Sequence, residues 1–237
     1  PKPHSSSPCR LGATKVTTVK LTVRRSGESL DFSITRAQIN DPSVRWSVSD
    51  NVGILTISRF DENTGSLARK AASEFTNKGV KGVIVDLRNN GGGYLTAAQE
   101  VASLWLDDGK MVVTEKSRGK VTDTIKASGS PTFKGKKTIV LVNGNSASAS
   151  EIVAGALKDY QVATLVGEKT FGKGTVQKVI NLSDGRILKV TVARWYTPHD
   201  RNITKEGIQP NQTVKMSSDD TNAGRDPQMA RAKELAA

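Results

Sequence analysis

Three short segments of this chain hold residues whose types and spacing can do chemistry. Residues 143–151 (N-G-N-S-A-S-A-S-E) set Ser146, Ser148 and Ser150 between an apolar strand-like run and a helix-like one. A serine at such a junction meets backbone N–H groups that lack intrahelical partners, and these favour developing negative charge and can form an oxyanion hole. Serine is also the preferred helix N-cap, so the same letters read equally as an ordinary helix start. Spacing does not choose among the three serines.

Residues 167–177 (G-E-K-T-F-G-K-G-T-V-Q) nearly match the phosphate-binding pattern GxxxxGK[ST]. Gly174 stands where a magnesium-holding hydroxyl is required, and the residues that follow alternate like a strand instead of opening a helix. A nucleotide site is therefore not the reading. Lys173 has another use, as a base. A free lysine, with a pKa of ~10.4, is neutral at pH 7 in roughly one molecule in 2,500, a penalty of about 4.6 kcal/mol. Burial in an apolar pocket lowers that penalty, and Phe171 and Val176 are the residues placed to form its walls. Gln177, four positions on, shares a side with Lys173 in an extended segment and could hold the amine.

The third segment, residues 86–95 (D-L-R-N-N-G-G-G-Y-L), is a strand end running into a helix across three glycines. Those glycines permit unusual backbone angles and close approach of a substrate, as an oxyanion loop or as a plain turn. The usual partner of a catalytic serine is histidine, and the chain has two. His4 lies in a Pro- and Ser-rich stretch, and His199 follows a proline in a turn (YTPHDRN). A triad would have to use His199, which reads more simply as a solvated turn residue.

These segments need elements to position them. Residues 1–12 carry no apolar period and read as a loose tail. Residues 16–23 and 30–35 alternate around Ser26-Gly27, a hairpin that needs support because two strands alone are marginal in water. From residue 44 onward strands and helices alternate: strands over 52–57, 80–87, 138–142 and 163–166, helices over 64–75, 95–106 and 150–157. A pair of strands, 175–182 and 187–192, follows across 183–186. The order predicts an α/β domain with a mainly parallel sheet and covering helices. After residue 214 the chain turns polar and closes with a short helix over 227–236. The divisions expected are a tail at 1–12, a hairpin at 13–40, a main domain at 41–216, and a linker with a terminal helix at 217–237.

Composition limits the function classes. No stretch of the 237 residues approaches the ~18 apolar residues of a membrane span, and no leader-like segment opens the chain. Cys9 is the single cysteine, which rules out an internal disulfide and a thiolate zinc site. The net charge is +12, with seven Lys/Arg against two acids in the first 40 residues. That surplus suits an anionic membrane surface, a polyanion or solubility. No recognition helix or stacking-aromatic motif accompanies it, so nucleic acid is not read as a partner.

Together the segments GVKGVIVDLRNNGGG, NSASASEIVAGALKDY and VGEKTFGKGTVQ, with YTP followed by EGIQP, resemble the C-terminal processing or tail-specific peptidases. The likeness runs from about residue 14 to 235. It implies a crotonase/ClpP-like α/β core, protein or peptide substrates, and no metal or organic cofactor. It also implies Ser148 as nucleophile, Lys173 as its base and Gln177 as the lysine's support. The implied oxyanion donors are the backbone of Ala149 and of Gly92 or Gly93. Members of the family carry a whole PDZ domain before the protease core, whereas residues 16–34 resemble only its last strands. Work outside the cytoplasm, in the periplasm or cell envelope, is part of the same expectation. The alternative is a catalytically inactive protease fold that binds peptides or assembles with partners.

Overall fold

A computed structural model describes residues 17–37, 41–182 and 186–237. The expected tail, with His4 and Cys9, lies outside the described residues, as does most of the turn at 183–186. Contacts divide the chain into two compact units, 1–42 and 43–237.

The first unit is a hairpin of β1 (Thr18–Arg25) and β2 (Glu28–Thr35), paired in register from Thr18↔Thr35 to Arg25↔Glu28. Ser26 and Gly27 both take positive φ, +53° and +90°. A two-residue turn of that hand matches the twist of antiparallel strands.

The second unit runs β3 (Val44–Ser49), β4 (Val52–Ile57), α1 (Thr64–Asn77), β5 (Gly82–Asp86), α2 (Leu95–Ala102), β6 (Met111–Ser117), β7 (Lys120–Lys126) and β8 (Lys137–Val142). It continues with α3 (Ala149–Asp159), β9 (Thr164–Gly167), β10 (Thr175–Asn181), β11 (Ile187–Tyr196), β12 (Gln212–Thr213), α4 (Ser218–Asn222) and α5 (Pro227–Ala236). Six strands form one sheet in the order β12-β9-β8-β5-β4-β3, parallel throughout except for the antiparallel edge strand β3. Strand alternation assigns its two faces. Val83, Val85, Val140 and Val142 join the larger core under α1, α2 and α3. Ile84, Ile139, Leu141 and Val166 face the other way, onto Ala232 and Ala236 of α5. Both faces are covered, which is why β5 reads as an unbroken apolar run instead of an alternating one.

The mainly parallel sheet and its helices are as the sequence predicts. Two features differ. Leu104, Trp105 and Leu106 lie beyond α2, which stops at Ala102; their apolar side chains are buried from a turn instead of a helix face. A second sheet, antiparallel and ordered β10-β11-β6-β7, was not expected beyond its β10–β11 pair. Strands β6 and β7 carry mostly polar letters (MVVTEKS, KVTDTIK), so their alternation is hard to separate from a loop.

Helix α5 is fastened at both ends. Its N-cap Asp226 accepts from Met229 N–H at 2.8 Å and from Arg88 Nη1 at 2.9 Å. Its last turn presses on the strands: a Cβ on Gly82 would lie 2.2 Å from the Ala236 carbonyl oxygen. Arg88, at the end of β5, also forks onto both oxygens of Asp86, at 2.9 and 2.7 Å, and reaches Gln228 Oε1 at 3.1 Å. Burial alone would push the Asp226 carboxyl up, but the Arg88 hydrogen bond and charge hold it below its ordinary value. A carboxyl depressed in the folded state contributes stability above its unfolded pKa and loses it as pH falls through the folded value. Asp226→Asn keeps an N-cap and removes the charge. It should cost about 0.5–1 kcal/mol at pH 7, discounted for the carboxylate's partial exposure. The difference from the parent should shrink as pH falls below about 4. Urea unfolding of both proteins at pH 7 and across pH 5 to 3 reads both.

Candidate active site

The three serines separate on geometry. Ser146 is fully buried, donates to the Leu87 carbonyl at 2.8 Å and accepts from Asn143 N–H at 2.9 Å. Ser150 is fully buried and donates to the Asn90 carbonyl at 2.9 Å. Ser148 is half-buried, and its hydroxyl donates to no group among the described residues. Its backbone sits at φ +55°, ψ −115°, a region strained for any residue with a side chain. Strain of this kind lifts a side chain off the turn that enters a helix, as in the sharp strand-to-helix elbow that carries nucleophiles on other folds.

The glycine loop lies against this turn. A Cβ on Gly92 would meet Ser148 Cβ at 2.7 Å and the Ala149 nitrogen at 2.9 Å. Gly93, at φ +146°, brings its Cα so near the Phe60 carbonyl that a Cβ would sit 2.0 Å from it. Asn90 holds the loop: its Nδ2 donates to the Ile57 carbonyl at 2.7 Å, and its Oδ1 accepts from Gly92 N–H at 2.9 Å. Its own carbonyl accepts from Ala147 N–H at 3.0 Å. The Gly92 N–H is thus occupied, while the N–H groups of Gly93 and Ala149 have no acceptor among the described residues. One open donor follows Ser148 in the chain, and the other follows Gly92, whose backbone touches Ser148.

One carboxylate joins Ser148 to the segment of Lys173. Glu151, fully buried in the first turn of α3, accepts through Oε2 from the N–H groups of Ser148 and Lys173, each at 2.9 Å. Through Oε1 it accepts from Gly172 N–H at 2.7 Å and from Thr170 Oγ1 at 2.6 Å. Four donors match the acceptor capacity of a carboxylate. The backbone nitrogens of Ser148 and Lys173 therefore lie within two hydrogen-bond lengths of each other. A further bond from Phe171 N–H to the Ser146 carbonyl, 3.0 Å, runs alongside. Serine followed three positions later by glutamate at a helix start is a capping-box signature, and that signal was there to mark Glu151. Asn90 and Thr170 carried no comparable sign.

The expected apolar pocket around Lys173 is not formed. Phe171 is 63% exposed and Lys173 itself lies in solvent, while Val176 packs against the core. Gly172 and Gly174 explain the arrangement. Their backbones touch the 203–207 turn so closely (Gly174 Cβ would meet Thr204 N at 2.5 Å) that the lysine between them must point outward. Gln177 is exposed on β10, with no hydrogen bond to Lys173. His199 pairs with Asp159: its N–H donates to Oδ2 at 2.9 Å, and its Nδ1 lies 3.7 Å from Oδ1. Asp159 also binds Arg201. It closes α3 at the end away from Ser148, about 16 Å along the axis, which removes a Ser–His–Asp triad. Among the described residues no group of three His, Cys, Asp or Glu is disposed to hold a metal. The surface concavity beside Trp105 and Phe133, about 580 Å³, is lined by none of the serine, glycine or lysine segments.

The spacing of these groups can be set beside known proteins. The model of Peptidase family S41 matches residues 51–214. The chain belongs to peptidase family S41. It is 40% identical over 200 residues to a "Probable CtpA-like serine protease" of Staphylococcus haemolyticus, covering 84% of this chain and 40% of that protein. A protein of the same description from Staphylococcus aureus gives the same identity and coverage. The S41 match extends to structure: the photosystem II D1 C-terminal processing protease aligns with a TM-score of 0.71 and 32% identity, over 85% of this chain and 56% of that one. The chain thus spans well under half the length of the curated S41 relatives it matches.

Glu151→Gln tests the carboxylate's role. The amide keeps the volume but turns one acceptor oxygen into a donor facing two donors. Stability should fall by about 2–3 kcal/mol, the penalty of orphaned buried groups. A shift of the urea midpoint well under that range would show that the four bonds are dispensable.

Proposed function

We propose that this S41 chain is a serine endopeptidase working through a Ser148–Lys173 dyad, and that it cleaves polypeptides near their C-termini. The observation that carries the reading is the position of Ser148. It is the one serine of the three whose hydroxyl donates to no described group, held in a strained turn against the glycine loop that carries the open N–H of Gly93, with the open N–H of Ala149 next along the chain. The backbone of Lys173 is tied to the same carboxylate oxygen as its own.

In this mechanism the neutral amine of Lys173 takes the Ser148 proton as Oγ attacks the scissile carbonyl. The N–H groups of Gly93 and Ala149 receive the oxyanion, with the partial positive charge at the start of α3 behind them. Collapse of the tetrahedral intermediate returns the proton from Lys173 to the leaving amine and leaves an acyl ester on Ser148. Lys173 then deprotonates the water that hydrolyses it. Because the amine stands in solvent in the uncovered site, the covering polypeptide supplies the desolvation that a lysine base needs. The role of Gln177 is to orient the amine once the substrate strand is in place. The substrate class rests on the name of the D1 C-terminal processing protease, and work outside the cytoplasm on the family resemblance of the sequence alone; no described helix is long and apolar enough to cross a membrane. The β1–β2 hairpin is read as the last strands of a PDZ domain, on its register and its place before the catalytic unit. Small or apolar residues are expected at the cut.

The exposure of Lys173 favours a second reading, a protease fold that binds peptides without cutting them. The two part on one set of variants. Ser148→Ala should lower kcat/KM on an unfolded polypeptide by roughly 10³-fold or more, and Lys173→Arg should do the same. Ser146→Ala, if folded, and His199→Ala should retain most activity. A serine-directed phosphonate should label Ser148 in the parent and in His199→Ala. A folded parent that neither cleaves nor labels supports the second reading, and loss of activity in His199→Ala alone sinks the dyad.

A further inference from the structure

The outer half of the antiparallel sheet is left open. Strand β6 pairs with β11 only at Arg194↔Lys116, Trp195↔Glu115 and Tyr196↔Thr114, and then turns at Arg118-Gly119 into β7. Residues 187–193 of β11 therefore pair with β10 on one side and with no strand among the described residues on the other. A long strand edge with unpaired N–H and C=O groups is a template for another strand, and monomeric proteins usually blunt it. Here it is not blunted by burial. Ile187 is 62% exposed, Leu188 46% and Val192 41%. A two-stranded ribbon with apolar side chains in water is marginal by itself.

Between this edge and the β6–β7 tip lies a groove of about 830 Å³, lined by Lys116, Arg118, Val192, Arg194 and Tyr196 among others. Lys116 is already committed, paired with Asp200 and lying 4.6 Å over the Tyr196 ring. Arg118 and Arg194 are exposed and form no ion pair among the described residues. The groove thus offers three things together: a free row of backbone partners, apolar contact and uncompensated positive charge.

We propose that this groove is a docking site for an extended peptide of alternating acidic and apolar residues, added as a fifth strand along residues 187–193 of β11. Main-chain pairing gives the affinity and the flanking side chains select the sequence. Charge decides the occupant. A second copy of this chain, carrying +12, would set Arg118 and Arg194 against their equals, and like charges opposed across strands destabilise. An acidic strand meets them with opposite sign. Ser148, Lys173 and Gln177 are not among the residues that line it.

The test uses the whole chain carrying Ser148→Ala, so that no peptide is cut, and a fluorescein-labelled twelve-residue peptide alternating Glu and Val. Fluorescence anisotropy should show saturable binding at least tenfold tighter than for the same peptide with Lys in place of Glu, or with Ser in place of Val. N-methylation of the central amides should abolish it. Arg118→Glu with Arg194→Glu should weaken binding tenfold or more without moving the thermal midpoint. Absence of saturable binding overturns the proposal, and so does equal binding of the N-methylated peptide. Displacement by a single-stranded oligonucleotide at similar concentration would make the groove a general polyanion patch. Sedimentation as a dimer that Val192→Asp dissolves would make the occupant a second copy. Either result overturns it.

Discussion

Glu151 gathers four donors from two segments that lie some twenty residues apart in the chain. The serine turn gives one N–H, and the 170–173 segment gives two N–H groups and a hydroxyl, all directed at the same carboxylate. Without an acceptor there, several buried donors would be stranded, at a cost of about 1–3 kcal/mol each. With it, the strain at Ser148 is held in place by a fully buried and fully bonded anchor, as strained residues require. The negative charge also sits in the first turn of α3, where the helix dipole favours it. One side chain therefore fixes the backbone of Ser148, places the lysine segment beside it, and caps the first turn of α3.

The glycine loop depends on that arrangement from the other side. Asn90 binds the turn before α3 through its carbonyl and the loop through its side chain, so the loop and the elbow move as one body. Gly92 and Gly93 are needed because the two backbones approach within distances that a Cβ would forbid. Behind them, Arg88 joins the end of β5 to the cap of α5.

Much of this was legible as letters. The apolar runs of β5 and β8 and the Ala-rich α3 follow from burial on both sides, and the hairpin turn at Ser26-Gly27 follows from its backbone requirement. The positions of the serine, glycine and lysine segments at strand ends were visible too. Which serine stands free was not, since it depends on carbonyls of Leu87 and Asn90 that lie some sixty residues away in sequence. The environment of Lys173 was misjudged for a related reason. Local letters supplied Phe171 as a wall, but contacts of Gly172 and Gly174 with the 203–207 turn decide which way the lysine faces. The β6–β7 pair is not legible in the letters because strands on an exposed sheet need not look apolar.

The bond between Arg88 and Asp226 spans 138 residues. During synthesis at ~5–20 residues per second, the loop beside Ser148 emerges about 7 to 28 seconds before the carboxylate that completes its anchor. Over the same interval the back of the sheet waits for Ala232 and Ala236. The loop beside Ser148 is made first, and the residues that pin the strand end behind it are made last.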